Sequence, residues 1–269
     1  NPFLDLHKLK EVENSTTTKI ENSSQGNSST RFFFERSDDL EFLIAQQFEG
    51  FDDFWELPRD FVDDVNYRRG GWSAVSKLVL PDGDAERVYY VKRQENQFRY
   101  SLNKPLGALT YEHEVVAIKR NQKLNLAAVD IACWGIKKGA DTTKGLLVTR
   151  EIADATLADI IASEPDWSAL EPILYQSGLQ LMEMHKHAIQ QGALYPKHIF
   201  VNPLTGGIQL IDFERSRKRA SVRKAIKSDL EQLIKRLIAM PDNACLALLR
   251  PYLQDHGKLV NELLTARAS

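Results

Sequence analysis

Between Ser73 and Arg93 apolar and polar residues alternate in two short runs, Ser73–Leu80 and Arg87–Arg93, on either side of Pro81-Asp82-Gly83-Asp84. Alternation with β-branched and aromatic residues around a turn predicts a β-hairpin. The period then changes. From Leu109 to Leu124, Val115, Ile118 and Leu124 recur at helical spacing among Glu112, Lys119, Arg120 and Lys123, which predicts a helix. Val129–Trp134 and Gly145–Thr149 read as two further strands. From Arg31 to Val148 the pattern is therefore mostly β, with one helix. From Ala155 onward it is helical, with helices expected over Leu157–Ala162, Leu170–Ala188, Val222–Met240 and Ala244–Leu264. A β-rich half followed by a helical half predicts an α+β chain in two lobes, residues 31–148 and 149–269. Residues 1–30 are polar and rich in Asn, Ser and Thr from Glu13 on. They are expected to be irregular, because they offer little apolar surface to offset ordering.

Composition narrows the class. Of 269 residues, 43% are hydrophobic and 27% charged, the balance of a soluble globular protein. The net charge of -2 excludes a global basic field for nucleic acid, while leaving room for a local basic patch. Two cysteines, Cys133 and Cys245, form neither a disulfide framework nor a zinc site, and read as thiols in a reducing compartment. No apolar run is long enough to span a bilayer and no secretory leader is visible, so a cytoplasmic location is expected. The Asn-x-Ser/Thr sites at Asn14, Asn22 and Asn27 then carry no glycosylation message.

The candidate chemistry sits where the second lobe's long helix ends. Gly192-Ala193-Leu194-Tyr195-Pro196-Lys197-His198-Ile199-Phe200 has the layout of a kinase catalytic loop. A short apolar strand follows and ends in Asp212-Phe213-Glu214. A carboxylate at that strand end is a candidate Mg²⁺ ligand. His198, five residues after Ala193, is a second ligand or phosphate contact, or else a residue that holds the loop. Upstream, Lys92 ends an apolar strand and is suited to nucleotide phosphates. Glu114 on the next helix is its expected ion-pair partner, preferred over Glu112 because Val115-Val116-Ala117-Ile118 put it beside the packed face. Gly70, Gly71 and Ser73 lie where a loop over the nucleotide would run, and two glycines let backbone N–H groups approach phosphates. Asp229 is expected to cap a helix or to accept hydrogen bonds from the loop's backbone. His185 reads as a packed structural histidine.

Together these residues resemble the lipopolysaccharide kinase (Kdo/WaaP) family, in particular its InaA-like branch. The resemblance runs from about Arg69 to Leu237. It is carried by Tyr90-Val91-Lys92, Glu114-Val-Val-Ala-Ile-Lys-Arg, Tyr195 with His198, Ile211-Asp212-Phe213-Glu214-Arg215 and Lys227-x-Asp229-Leu230. It implies a bilobal protein-kinase-like fold, ATP with Mg²⁺, and transfer of the γ-phosphoryl group to an inner-core sugar hydroxyl of lipopolysaccharide. It also implies work in the cytoplasm, peripheral to the inner face of the inner membrane. Gln191-Gly192-Ala193 departs from the family's His-Arg-Asp: an alanine cannot orient the nucleophile or accept its proton. Glu214 or Asp229 could stand in, metal and positioning could suffice, or the chain is a pseudokinase that binds nucleotide in envelope or acid stress. A small-molecule kinase of the aminoglycoside or choline type shares the fold. It also needs the missing carboxylate, and it leaves the Tyr195/His198 pair unexplained.

Overall fold

The structure, a computed structural model, describes residues 18–20, 29–68, 70–101 and 104–268. The chain divides into two compact units, Asn1–Glu112 with Asp130–Glu151, and His113–Val129 with Ile152–Ser269. Most of the 1–30 segment, with its three Asn-x-Ser/Thr sites, lies outside the described residues. Its Thr18–Ile20 is nonetheless a strand.

The first unit holds β1 (Thr18–Ile20), β2 (Ser29–Phe34), α1 (Ser37–Ala45), α2 (Phe51–Trp55), β3 (Asn66–Arg68), β4 (Gly71–Asp82), β5 (Ala85–Glu95), β6 (Phe98–Ser101) and β7 (Lys104–Leu109). It also holds the start of α3 (Thr110–Lys123), then β8 (Ile131–Lys138) and β9 (Thr143–Arg150). Seven strands form an antiparallel sheet in the order β1-β2-β8-β9-β5-β4-β3, and β6 and β7 make a separate ribbon. The expected hairpin is β4–β5, with Val75 opposite Lys92. Along β5, Tyr89, Val91 and Arg93 are buried while Lys92, of opposite parity, is half-buried.

α1 and α2 correct the reading of residues 31–148 as β with a single helix. Leu43, Phe51, Phe54 and Trp55 from these helices join Phe32, Phe34, Tyr89 and Val148 in one core. The helices cover a sheet face that would otherwise meet water. Two buried polar groups fasten this cover. Asp39 accepts hydrogen bonds from the Tyr89 hydroxyl (2.8 Å) and from Arg150 Nε (2.9 Å). Arg93 donates to the carbonyls of Trp55, Leu57 and Pro58 and to Ser76 Oγ, and burial pulls its pKa down.

The second unit carries the rest of α3, then β10 (Ala155–Thr156), α4 (Leu157–Ala162), α5 (Trp167–Lys186), β11 (Ile189–Gln190), β12 (Ile199–Val201), β13 (Ile208–Leu210), β14 (Arg217–Lys218), α6 (Val222–Ile234), α7 (Asp242–Leu249) and α8 (Leu253–Ala268). Its strands form a β10-β12-β13 sheet and a β11-β14 pair. α6 buries Ala225, Ile226, Asp229, Leu230, Leu233 and Ile234, a stripe at helical spacing. α5 packs against α7 so closely that a Cβ at Gly178 would lie 2.0 Å from the Leu248 carbonyl oxygen. Two expected helices end early: α6 stops at Ile234, and Pro251 separates α7 from α8 through a 3₁₀ turn. Among the described residues no helix is long and apolar enough to cross a membrane.

Candidate active site

In the first unit, the residues expected to face nucleotide have local backbone roles as well. Gly70 sits in the tight β3–β4 turn with φ +77°, a conformation that favours glycine. Gly71 begins β4, where a Cβ would lie 2.0 Å from the Glu95 carbonyl oxygen, so strand packing alone calls for glycine there. Ser73 Oγ accepts a hydrogen bond from Gln94 Nε2 (3.4 Å). Gln94, two residues beyond Lys92, is fully buried, and its Oε1 accepts from the Tyr111 backbone N–H (2.9 Å) and the Thr110 hydroxyl (3.0 Å). It satisfies donors at the N-terminus of α3 that have no partner inside the helix. Nothing in the sequence pattern singled Gln94 out.

In the second unit the loop is built from the inside. Asp229 lies in the middle of α6, which Ser221 caps, so it is no helix cap. Its buried carboxylate accepts from the backbone N–H groups of Gln191 (2.7 Å) and Gly192 (2.9 Å) and from His185 Nε2 (3.1 Å). With Nε2 donating, His185 Nδ1 accepts from the Tyr252 hydroxyl at 2.8 Å. Burial pushes the Tyr252 phenol well up, which keeps it a neutral donor. With all three donors on it and no exposure, Asp229 cannot stand in as a catalytic base. Its role is to hold the loop.

Gln191 extends the scaffold. Its Nε2 donates to the carbonyls of Ile211 (2.8 Å) and Asp212 (2.9 Å), and its Oε1 accepts from the Ala193 N–H (2.5 Å). One buried amide thus joins the loop to the residue expected to hold metal. Asp212 has φ 60° and ψ 65°, a left-handed conformation that costs an ordinary residue about 1–2 kcal/mol. Glu114, buried on α3, accepts from the following Phe213 N–H at 3.3 Å, while Glu112 is only half-buried. Gly192 has φ +87°, and a Cβ there would lie 2.5 Å from the Arg215 carbonyl oxygen. No side chain fits at 192 while Arg215 keeps its place.

His198 Nδ1 lies 2.8 Å from the Ala193 carbonyl oxygen and 3.8 Å from an Asp212 carboxylate oxygen. Facing a carbonyl, Nδ1 carries the proton, so Nε2 is the acceptor nitrogen. Tyr195 packs against the His198 ring with centroids 5.2 Å apart, and the Arg236 guanidinium lies 4.0 Å from the Tyr195 ring centre. Ala158, Ile161, Tyr195, Pro196, Lys197 and Arg236 line an open pocket of about 290 Å³. Tyr195 was read from the sequence; Arg236 was not, since a helix-end arginine gives no signal of its own.

Mg²⁺ is a hard cation that takes one or two carboxylates together with water and substrate phosphates. Asp212, partly exposed and held in a strained conformation, fits that donor set. The remaining His198 nitrogen fits it poorly, because imidazole suits softer metals. Among the described residues, no group of three or more His, Cys, Asp or Glu side chains forms a metal cage.

Comparison with known proteins agrees with this architecture. The model of the lipopolysaccharide kinase (Kdo/WaaP) family matches residues 52–252. Protein InaA of Escherichia coli (strain K12) is 30% identical over 205 residues, which is 74% of this chain and 93% of that protein. A solved structure of WaaP in complex with acyl carrier protein shares the fold at a TM-score of 0.56 and 19% identity, covering 84% of this chain and 95% of that one. The matched span takes in Lys92, Glu114, the Gln191–His198 loop, Asp212 and Asp229, and the chain belongs to the lipopolysaccharide kinase (Kdo/WaaP) family.

Proposed function

We propose that this protein binds ATP with Mg²⁺ and transfers the γ-phosphoryl group to a sugar hydroxyl of the lipopolysaccharide inner core. The work is done in the cytoplasm at the inner face of the inner membrane. The observation that carries this reading is the intact frame around Asp212. Asp229 pins the loop backbone, Gln191 ties the loop to the Asp212 carbonyl, and Asp212 keeps its strained conformation.

Lys92 takes the phosphates, with Glu114 as its charge partner and Asp212 as the Mg²⁺ ligand. Bound Mg²⁺ would neutralise charge on the phosphate oxygens. Gly70, Gly71 and Ser73 contribute phosphate contacts, while His198, with its proton on Nδ1, holds the loop through the Ala193 carbonyl. The acceptor oxygen bonds to the γ-phosphorus as the bond to the β–γ bridging oxygen breaks, and ADP leaves with that electron pair. With Ala193 in place, the hydroxyl proton passes to a phosphoryl oxygen or to water, and the rate forgoes the roughly 10²–10⁴-fold of a positioned base.

The test is transfer of labelled γ-phosphate from ATP to purified core oligosaccharide, with Asp212→Ala as control. Label that reaches the sugar and is lost in the control supports the reading. Ala193 also supports a second reading, a pseudokinase that binds nucleotide and regulates. That reading holds if ATP binds and no core sugar is labelled.

A further inference from the structure

We infer that the exposed basic ridge from Arg215 to Lys227 is a docking surface for an anionic lipid bilayer. Seven of these thirteen residues are Lys or Arg and none is Asp or Glu, in a chain whose net charge is -2. Some cations elsewhere have acidic partners close by, as exposed Lys77 with Glu151 at 3.1 Å and half-buried Arg87 with Asp82 at 2.7 Å and Lys137 with Asp52 at 2.6 Å. On the ridge, Arg215, Lys218, Arg223 and Lys224 are exposed, and the salt bridges of the described residues include none of them. Lys227 reaches Glu231 only at 3.7 Å.

The ridge is fixed rather than loose. Arg217 and Lys218 form β14 against β11, Ser216 Oγ donates to the Gln190 carbonyl (3.0 Å), and the Arg219 N–H donates to the Ala188 carbonyl (2.7 Å). Arg223 and Lys224 occupy the first turn of α6, which carries no acidic residue. Cations there oppose the positive end of the helix dipole, a placement that folding alone disfavours.

The chemistry of the ridge selects the partner. Residues 215–227 contain no aromatic side chain on which a base could stack. Protein interfaces rest on a few anchors, mainly Trp, Tyr and Arg seated in well-packed surroundings, yet Ala225 and Ile226 are buried here and Val222 is half-buried, so the arginines of 215–227 have no large exposed apolar neighbour within the ridge. A headgroup plane needs only a row of cations within a Debye length of its charge. The ridge begins three residues after Asp212, and its first residue, Arg215, packs on Gly192, so docking would bring that end of the loop toward the membrane surface. The inference stands on charge and packing, separately from phosphoryl transfer.

The test is co-sedimentation of the full chain with phosphatidylcholine vesicles, with and without phosphatidylglycerol. A Lys218→Gln/Arg223→Gln/Lys224→Gln variant is run beside the wild type. Binding should require phosphatidylglycerol, weaken with added salt, and fall about a hundredfold in the triple variant. That variant should melt no lower than the wild type; if it does not fold, Lys218→Gln alone should weaken binding about fivefold. Equal binding to neutral vesicles, or no loss in a folded variant, overturns the inference. So does charge-dependent capture of single-stranded DNA or an acidic protein with no vesicle binding.

Discussion

At the residue scale, the loop around Ala193 is held by a closed set of buried and part-buried hydrogen bonds. Gln191 satisfies both of its donors and one acceptor without exposure. Asp229 gathers three donors that would otherwise be buried without partners. Asp229→Ala should therefore lower stability by about 3 kcal/mol or more, read from urea unfolding, because an unmet buried donor costs about 1–3 kcal/mol. Ala193→Asp addresses the chemistry instead. If the absent carboxylate limits the rate, it should raise core-sugar phosphorylation at least about tenfold, and only while Asp212 is intact. An unchanged or slower rate would assign the work to other groups. Sequence foresaw where Asp212 and Glu114 sit, just past a strand and on the packed face of a helix, because both elements are strongly patterned. Asp39 and Arg93 were not legible: their partners are carbonyls, or an arginine 111 residues away, and no local period reports such contacts.

At the element scale, periodicity revealed the hairpin, α3 and α5 but missed α1 and α2. Both are short, and an apolar pattern over five to nine residues, mainly aliphatic in α1 and aromatic in α2, resembles a strand as much as a helix. The early end of α7 at Leu249, just before Pro251, shows the converse, a helical pattern that one residue without an N–H interrupts. α6 supports a prediction of its own. Its first turn places Arg223 and Lys224 at the positive end of the dipole, so Arg223→Gln should raise stability by about 0.3–1 kcal/mol. A rise in melting temperature at low ionic strength that fades in salt would show it. A fall would mean that Arg223 makes a stabilising contact.

At the scale of the whole molecule, two units share one chain and the expected nucleotide ligands are divided between them, Lys92 in one and Asp212 in the other. ATP with Mg²⁺ should raise the melting temperature of the wild type, since a ligand that binds only the folded state stabilises it. Lys92→Met and Asp212→Ala should each reduce the shift, and no shift at millimolar ATP in folded wild type would count against nucleotide binding. Acid should act through the first unit. The hydrogen bond from Arg150 holds the Asp38 carboxyl down at about 2, against an ordinary value of 3.8. A depressed carboxylate contributes stability above its unfolded pKa, and that contribution is lost as pH falls from about 4 through about 2. The pair is well exposed, so the loss should stay below about 1 kcal/mol and vanish in Asp38→Asn.

With the Arg215 carbonyl oxygen 2.5 Å from where any Cβ at 192 would stand, the packing also sets what this loop can accept. A side chain at 192 requires the main chain at 215 to shift, and just beyond it Ser216 and Arg219 are hydrogen-bonded to Gln190 and Ala188. Building His-Arg-Asp into positions 191–193 therefore calls for a compensating change around Arg215, whereas a carboxylate supplied from another position could be introduced singly.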